Sequence, residues 1–288
     1  MSGTQDIVIA AGVESMTRVP MGLPSTLPRK NNFGYYMSPN IQKKYPGVDF
    51  SQFMGAEMMA KKYGFTRADL DVYSLESHRR AIAATQAGFF TDEIIPVEAR
   101  IYNAETNITV TSGDMHLVDE GIRFDATPES IGKVKVLQEG GVITAANASQ
   151  ICDGASGVMV VNERGLKLLG LEPLARIHHM SVLGHDPVIM LEAPLPATDK
   201  ALARAGMKLE DIDLFEINEA FASVTMSWLK HTGADHARLN AYGGAGATGT
   251  KLMTTLVHSL KRDKKKYGMQ SMCEGGGMAN VTIIENLM

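Results

Sequence analysis

Short apolar runs recur along this chain and are separated by stretches rich in glycine, asparagine and proline. The first run, at residues 6–12, lacks polar alternation, which is typical of an inner strand of a parallel sheet that is buried on both faces. From about residue 170, predicted strands alternate with predicted helices: strands at 175–177 and 214–217, helices at 198–206 and 220–233, and a further helix from about Thr250. This alternation predicts an α/β fold.

A helix start signal stands earlier in the chain. Thr66 is a suitable N-cap and Asp69 follows three residues later, so we predict a helix that runs to about Gln86 and stops at Gly88. Residues 18–50, in contrast, show little regular pattern and are rich in Pro, Asn, Gly and Met. A long irregular excursion in a compact domain is usually functional, and we expect this one to be so.

The end of the chain carries a cysteine directly before three glycines. Residues 267–271 and 281–284 read as two strands, and Cys273 with Gly275–Gly277 lies between them. Glycines there allow a tight turn whose amide groups face outward, and a thiol beside free amides suits acyl transfer. The alternative is a simple hairpin turn with a buried cysteine, and the motif alone does not choose between the two.

Composition narrows the class of protein. The 288 residues suffice for about two domains, and 44% hydrophobic residues with a mean hydropathy of −0.06 indicate a large core. A net charge of −4 gives no reason to expect nucleic acid or an anionic membrane as a partner. The two distant cysteines, Cys152 and Cys273, favour a reducing intracellular compartment. The apolar runs are too short for a membrane span, and no signal peptide is expected.

Asn218 is a candidate ligand-binding residue because it follows a predicted strand and opens a predicted helix. Ligands of open α/β sheets collect at the carboxyl ends of strands, where Asn218 could hold a water or a carbonyl group. The alternative is that Asn218 only caps the helix.

Several ordered motifs resemble those of the thiolases. They cover nearly the whole chain: Gly12–Thr17, Asp119–Arg123, Thr144–Ser149, Asp153–Ala155, Asn218–Ala222, the Asn-containing Gly-Gly-Ala stretch 240–245, and Cys273–Gly277. The resemblance implies a layered α/β thiolase fold. It assigns residues 1–17 and 150–168 to a remnant of the N-terminal domain, 18–149 to a loop domain that covers coenzyme A, and 169–288 to the C-terminal domain.

The resemblance also implies an activity and a site. Thiolases cleave or form a carbon–carbon bond between an acyl-CoA and acetyl-CoA through a cysteine thioester. Cys273 matches the cysteine that moves the α-carbon proton, Gly275 a donor of the acyl oxyanion hole, and Asn218 the residue that orients a water in the second hole. The expected substrate-binding residues are Ser149 at the pantetheine arm and Met54 and Met190 at the acyl-thioester pocket. Taken alone, each methionine is better explained as a residue that fills the core, and only the resemblance assigns it to the pocket.

The resemblance gives further expectations about ligands and location. Coenzyme A thioesters would be substrates, with no cofactor and no metal, and the chain would form a homo-oligomer in lipid or fatty acid metabolism. Cytoplasm, mitochondrial matrix and peroxisomal matrix stay open. Phe53 stands where some members have histidine, which puts a short-chain preference in doubt.

Two features depart from the family pattern. The family's nucleophilic cysteine lies in a Cys-Gly-Ser-type turn upstream of the segment that matches residues 6–12, and the catalytic histidine belongs to a Gly-His-Pro piece that is missing between Ala245 and Gly246. We therefore expect a truncated first half and no meaningful turnover by this chain. The alternative function is a non-catalytic, CoA-binding remnant or an incomplete gene product.

The shortened junction also creates a G-x-G-x-x-G pattern at 244–249. A dinucleotide site would need a good strand before this pattern and an acidic residue after the next strand, and the chain offers a poor strand and a lysine-rich run. The dinucleotide interpretation is therefore disfavoured.

Overall fold

The computed structural model describes residues 3–244 and 249–288. In these ranges it contains three sheets of two, two and four strands. The strands, in chain order, are β1 (Ile7–Ser15), β2 (Val97–Asn103), β3 (Ile108–His116), β4 (Asp153–Val161), β5 (Ala175–Gly184), β6 (Leu214–Ile217), β7 (Tyr267–Glu274) and β8 (Met278–Asn286).

The helices in these two ranges differ in length and in how deeply they are buried. They are α1 (Leu23–Lys30), α2 (Pro39–Lys44), α3 (Gln52–Tyr63), α4 (Arg67–Gln86), α5 (Pro128–Gly132), α6 (Glu163–Leu169), α7 (Pro194–Ala205), α8 (Ala222–Thr232) and α9 (Gly249–Arg262). Helices α1 and α2 have no buried residue, and the irregular excursion predicted for 18–50 consists of short helices and turns that are mostly exposed, although Met37 is buried.

The C-terminal sheet forms the structural centre of the molecule. Its strand order is β5-β8-β7-β6, with β6 and β7 parallel and the other pairs antiparallel. Helices α7 and α8 supply core residues on one face, and Leu256 and Leu260 of α9 pack against Leu214 and Ile284 on the other. Helices on both faces of the sheet are the reason why all four residues of β6, Glu216 included, are buried, and the predicted α/β fold is confirmed.

Residues 6–12 were predicted to form an inner, buried strand of a parallel sheet, and this prediction is wrong about the sheet and the burial. The run does form a strand, β1, but it pairs antiparallel with β4 in a two-stranded sheet instead of lying inside a parallel one. Ile9 is 73% exposed and Val13 is 80% exposed. An apolar run identifies a strand, but its burial depends on neighbours that lie far away in sequence.

Two helix predictions had different outcomes. The capping box of α4 is present, since Thr66 Oγ1 accepts a hydrogen bond from the Asp69 amide at 3.2 Å, and the helix ends at Gln86 as predicted. The predicted helix start at Thr198 is wrong, because α7 begins at Pro194. Thr198 lies inside the helix, where its hydroxyl donates to the Pro194 carbonyl and accepts from the Trp228 indole.

Other sequence expectations concern features that the structure does not address. The predicted junction at Ala245–Gly246 and most of the G-x-G-x-x-G pattern lie in 245–248, outside the described residues. The division into 1–17 with 150–168, 18–149 and 169–288 stays a prediction. Within 3–244 and 249–288, no helix is both long and apolar enough to cross a membrane.

Candidate active site

Cys273 lies at the end of β7, one residue before the strand terminates. It pairs with Ala279 of β8, and the loop between the two strands consists of Gly275, Gly276 and Gly277. Gly276 and Gly277 have φ values of 82° and 77°, which side chains other than glycine rarely adopt. The glycines therefore make the tight connection possible that holds the cysteine at the strand end, and Gly275 is exposed in it.

The surroundings of Cys273 favour the protonated thiol. The side chain is only partly accessible and packs against the main core. Burial raises the pKa of the Cys273 thiol to about 11, and the neighbouring Glu274 carboxylate adds to the increase. In this form Cys273 holds its proton at neutral pH and serves as an acid more readily than as a nucleophile.

Asn218 lies beside the same strand end. Its backbone amide donates to the Ser271 carbonyl of β7 at 3.0 Å, and the residue is 4% exposed. The side-chain Oδ1 is buried without a hydrogen-bond partner in the described part of the chain. Asn218 does not cap α8, because Phe221 occupies the N-cap position. An unpartnered buried amide oxygen calls for a donor, and a bound water would supply one.

Ser149 is held next to the segment that follows Asn218. Its amide donates to the Ala220 carbonyl at 3.0 Å, and the Ala222 amide donates to the Asn147 carbonyl at 2.9 Å. The extended backbone of 147–149 therefore lies alongside 220–222. The fold thus brings a serine predicted to contact the pantetheine arm close to the residues predicted to contact the thioester.

Met190 and Met54 lie on two segments that contact each other. Met190 is 8% exposed and has an unusual positive φ of 55°, and its amide donates to the Asp186 carbonyl at 3.0 Å. Met54 is 41% exposed and lines a cleft on α3 together with Phe53 and Glu57. A Cβ atom on Gly55 would lie 2.7 Å from the Ile189 carbonyl oxygen, so α3 packs directly on the backbone beside Met190.

The Met190 segment also contacts the glycine turn. The His185 amide donates to the Gly277 carbonyl at 2.7 Å, and a Cβ atom on Gly277 would lie 2.6 Å from the Asp186 carbonyl oxygen. Backbone contacts thus connect the segments that carry the predicted site residues: Cys273, Gly275, Asn218, Ser149, Met190 and Met54. The chemical roles of these residues stay predictions, and the placement is consistent with them.

Glu219 organises the region behind Asn218, and the sequence analysis gave it no role. Its carboxylate accepts hydrogen bonds from the Tyr73 hydroxyl at 2.9 Å, the Ser77 hydroxyl at 2.7 Å and the Asn240 side-chain amide at 2.7 Å. Burial together with the charge of Glu219 raises the pKa of Tyr73 well above its usual range. The position of Glu219 directly after Asn218 was the signal that could have revealed it.

Glu216 is a second acidic residue that sequence reasoning did not single out. It lies on β6 opposite Gln270 and is 3% exposed, and its Oε2 has no partner among the described residues. Burial raises the pKa of Glu216 to about 8; Lys251 opposes the shift, and Glu219 and Glu93 add to it. Glu216 therefore stays largely protonated at neutral pH.

Residues 3–244 and 249–288 contain no group of three or more His, Cys, Asp or Glu side chains placed to hold a metal ion. The groups that the described residues bring to this region are a thiol, backbone amides, an amide side chain and buried carboxyl groups.

Family models match both halves of the chain. The model for the thiolase N-terminal domain matches residues 1–164, and the model for the thiolase C-terminal domain matches residues 171–286.

Characterised relatives agree with these matches. Steroid 3-ketoacyl-CoA thiolase FadA6 of Mycobacterium tuberculosis is 46% identical over 298 residues, which cover 100% of this chain and 70% of that protein. A 3-ketoacyl-CoA thiolase of Bacillus subtilis is 36% identical over 99% of this chain and 73% of its own length. A peroxisomal 3-ketoacyl-CoA thiolase 2 of Arabidopsis thaliana is 38% identical over 99% of this chain.

Solved structures show the same fold. Human mitochondrial 3-ketoacyl-CoA thiolase superimposes with a TM-score of 0.82 at 32% identity, covering 99% of this chain and 73% of that one. The same human enzyme in complex with CoA gives a TM-score of 0.80 at 33% identity, covering 98% of this chain and 71% of that one. The motif resemblance is confirmed by sequence and by structure, and the chain belongs to the thiolase family of acyltransferases.

Proposed function

We propose that this chain binds 3-ketoacyl-CoA and acetyl-CoA thioesters and that Cys273 exchanges the proton on the α-carbon of the bound thioester. The observation that carries the proposal is the position of Cys273 at the glycine turn, with the buried Asn218 Oδ1, which has no partner among the described residues, on the neighbouring strand end. The human structure determined in complex with CoA supports a CoA thioester as the ligand.

The proposed step is a proton transfer that balances without a cofactor. The Cys273 thiolate takes a proton from the α-carbon, so that a C–H bond breaks, an S–H bond forms and the electron pair moves to the thioester oxygen. A water held by Asn218 donates a hydrogen bond to that oxygen. The reverse step returns the proton from the thiol, which is the form that burial favours.

Acyl transfer needs a second thiolate, and we propose that these 288 residues do not supply one. The other cysteine, Cys152, is exposed and precedes β4, whose Asp153 pairs with Ser15 of β1. Partial desolvation of the Cys152 sulfur and the nearby carboxylates of Asp119 and Asp153 raise the pKa of Cys152, which disfavours its thiolate. Without an acyl-accepting thiolate, the transfer has no first covalent intermediate.

Deuterium incorporation into acetyl-CoA in heavy water tests the proton exchange. We expect the chain to exchange the α-protons faster than its Cys273→Ala variant, and more so at higher pH. Equal rates in the two proteins would refute the role of Cys273. Loss of acetoacetyl-CoA with added CoA tests acyl transfer, and no turnover above the Cys273→Ala control is expected. Turnover above that control would show that an acyl acceptor is present.

The preferred size of the substrate's acyl group is a separate part of the proposal. The relative at 46% identity is named for steroid 3-ketoacyl-CoA, and Phe53 packs edge-on against Phe221 with ring centroids 5.6 Å apart. We propose that bulky acyl groups bind better than acetoacetyl. Affinities for acetoacetyl-CoA, octanoyl-CoA and a ring-bearing acyl-CoA would rank the three, and tightest binding of acetoacetyl-CoA would contradict the proposal.

A further inference from the structure

Glu192 is a buried carboxylate with an unusual number of partners. It is 6% exposed and lies just before α7. Its Oε1 accepts from the Tyr63 hydroxyl at 2.6 Å and lies 2.5 Å from the Lys62 ammonium, and its Oε2 lies 3.1 Å from His185 Nε2. A buried charge is costly unless it is paired and hydrogen-bonded, so these contacts satisfy a real requirement.

The partners of Glu192 belong to two separate segments. Lys62 and Tyr63 form the last turn of α3, whereas His185 follows β5. The carboxylate therefore joins the C-terminal end of α3 to the 185–192 segment. The N-terminal part of the same helix touches that segment as well, through Gly55 and the Ile189 carbonyl. Helix α3 is thus fixed on this segment at both ends.

These contacts lie next in sequence to the two methionines that are predicted to line the acyl-thioester pocket. Met54 stands beside Gly55, and Met190 stands beside Ile189. The backbone of Met190 is strained, with a φ of 55°. A strained backbone persists only where its surroundings hold it, and Glu192 is two residues away.

Segment 185–192 also contacts the glycine turn, through the backbone of His185. The His185 ring donates to the Glu192 carboxylate through Nε2, while the His185 backbone amide donates to the Gly277 carbonyl at 2.7 Å. A shift of His185 therefore moves a contact of the turn that follows Cys273. Segment 185–192 thus links Glu192 both to Met190 of the predicted pocket and to the turn that follows Cys273, the predicted acid/base.

We propose that Glu192 is a positioning residue that holds α3 and the 185–192 segment at the spacing required for the acyl group and for the Cys273 turn. The proposal rests on the proposed function for its statement about the acyl group. It makes no such assumption for the Cys273 turn, because that contact is visible in the structure.

The experiment uses the full chain in a Cys152→Ser background, so that Cys273 is the only thiol. Glu192→Gln keeps the shape of the side chain and removes its charge, and Tyr63→Phe removes a single donor. Two controls accompany them: Glu172→Gln, an exposed carboxylate, and Asn162→Ala, which removes the N-cap of α6 and lowers stability elsewhere.

The first measurement is the rate at which iodoacetamide alkylates Cys273 without any ligand. We expect Glu192→Gln to increase the rate at least about fivefold, because a loosened turn exposes the thiol. Tyr63→Phe should change it in the same direction by less, and the double variant should not exceed Glu192→Gln alone. Unchanged rates in Glu192→Gln and Tyr63→Phe, or equal increases in Asn162→Ala, would overturn the proposal for the turn.

The second measurement compares affinities for CoA and octanoyl-CoA by calorimetry. Glu192→Gln should weaken octanoyl-CoA about tenfold and CoA less than about twofold, since only the acyl group occupies the pocket. An equal loss for both ligands would overturn the proposal for the acyl group. If neither ligand binds the unmutated protein, the proposed function fails, and the alkylation rates then decide on Glu192 alone.

Discussion

Strands β1 and β6 are both rich in apolar residues, yet β1 is largely exposed and β6 is buried along its whole length. All four residues of β6 are buried, because β6 has a parallel neighbour and helices on both faces of its sheet. Strand β1 has the antiparallel partner β4, and Ile9 on it is 73% exposed. Apolar composition thus defines the strand, and the layers around it define its contribution to stability.

The sharpest test of this comparison is the same substitution in both strands. Ile217→Ala on β6 should lower the free energy of unfolding by about 2–5 kcal/mol, because it empties a fully buried site. Ile9→Ala on β1 should change it by less than about 0.5 kcal/mol. Urea unfolding measures both values. Equal losses would mean that β1 is covered in solution.

Self-association tests whether the exposed face of β1 finds a partner. We expect the chain to associate or aggregate through β1, where Ile9 and Val13 expose apolar surface. Ile9→Lys should weaken association by about tenfold or more, since it removes the burial of an isoleucine and adds a charge. Light scattering after size exclusion provides the measurement. A monodisperse monomer that melts cooperatively would contradict the expectation.

The two cysteines also differ in burial, and we expect them to differ in their rates of alkylation. Burial holds the pKa of Cys273 at about 11, so about one thiol in a thousand is ionised at pH 8, and its alkylation should rise about tenfold per pH unit up to that pKa. Cys152, beside β4, is exposed and should react at least about ten times faster at pH 8. Mass spectrometry of each peptide gives the two rates. A faster Cys273 would indicate a thiolate that the structure does not support.

A smaller change in stability tests whether α4 unfolds together with the C-terminal sheet. Helix α4 lies against the C-terminal half, where Arg80 on it donates to the Leu239 carbonyl at 2.7 Å. Thr66→Ala removes the cap of α4 and should lower global stability by about 1 kcal/mol. Chemical denaturation should show a shifted midpoint with an unchanged slope. A separate early transition would place α4 outside the cooperative unit.

Much of the local structure was readable from the residues. Thr66 with Asp69, the glycine at the end of α8 and the run 214–217 each specify an element through local chemistry, and the structure contains all three. The start of α7 was misjudged, because Thr198 has the chemistry of a cap while Pro194 has the better position. Thr198 instead lies inside the helix, where its hydroxyl bonds the Pro194 carbonyl and the Trp228 indole, so a cap-type residue alone does not locate a helix start.

The candidate site was predicted less completely. The motifs located Cys273, Asn218 and the glycine turn, since each has a recognisable neighbour in sequence. Glu192 was missed because its partners Tyr63 and His185 are distant in sequence from each other, and no motif links them. The raised pKa of Glu216 was equally invisible, because burial between β6 and α9 causes it.

The sequence by itself determined the family, the α/β class and the glycine-bounded position of Cys273, because these follow from residue types at fixed spacing. Tertiary structure alone decided that β1 is exposed and β6 buried, and that Glu192 joins α3 to the Met190 segment. It also decided that the Asn218 side-chain oxygen lies beside the Cys273 strand with no partner in the part of the chain that the structure describes. The physical reason is the same in each case. Burial, pKa and hydrogen-bond satisfaction depend on which distant segments come into contact, and local spacing does not encode that.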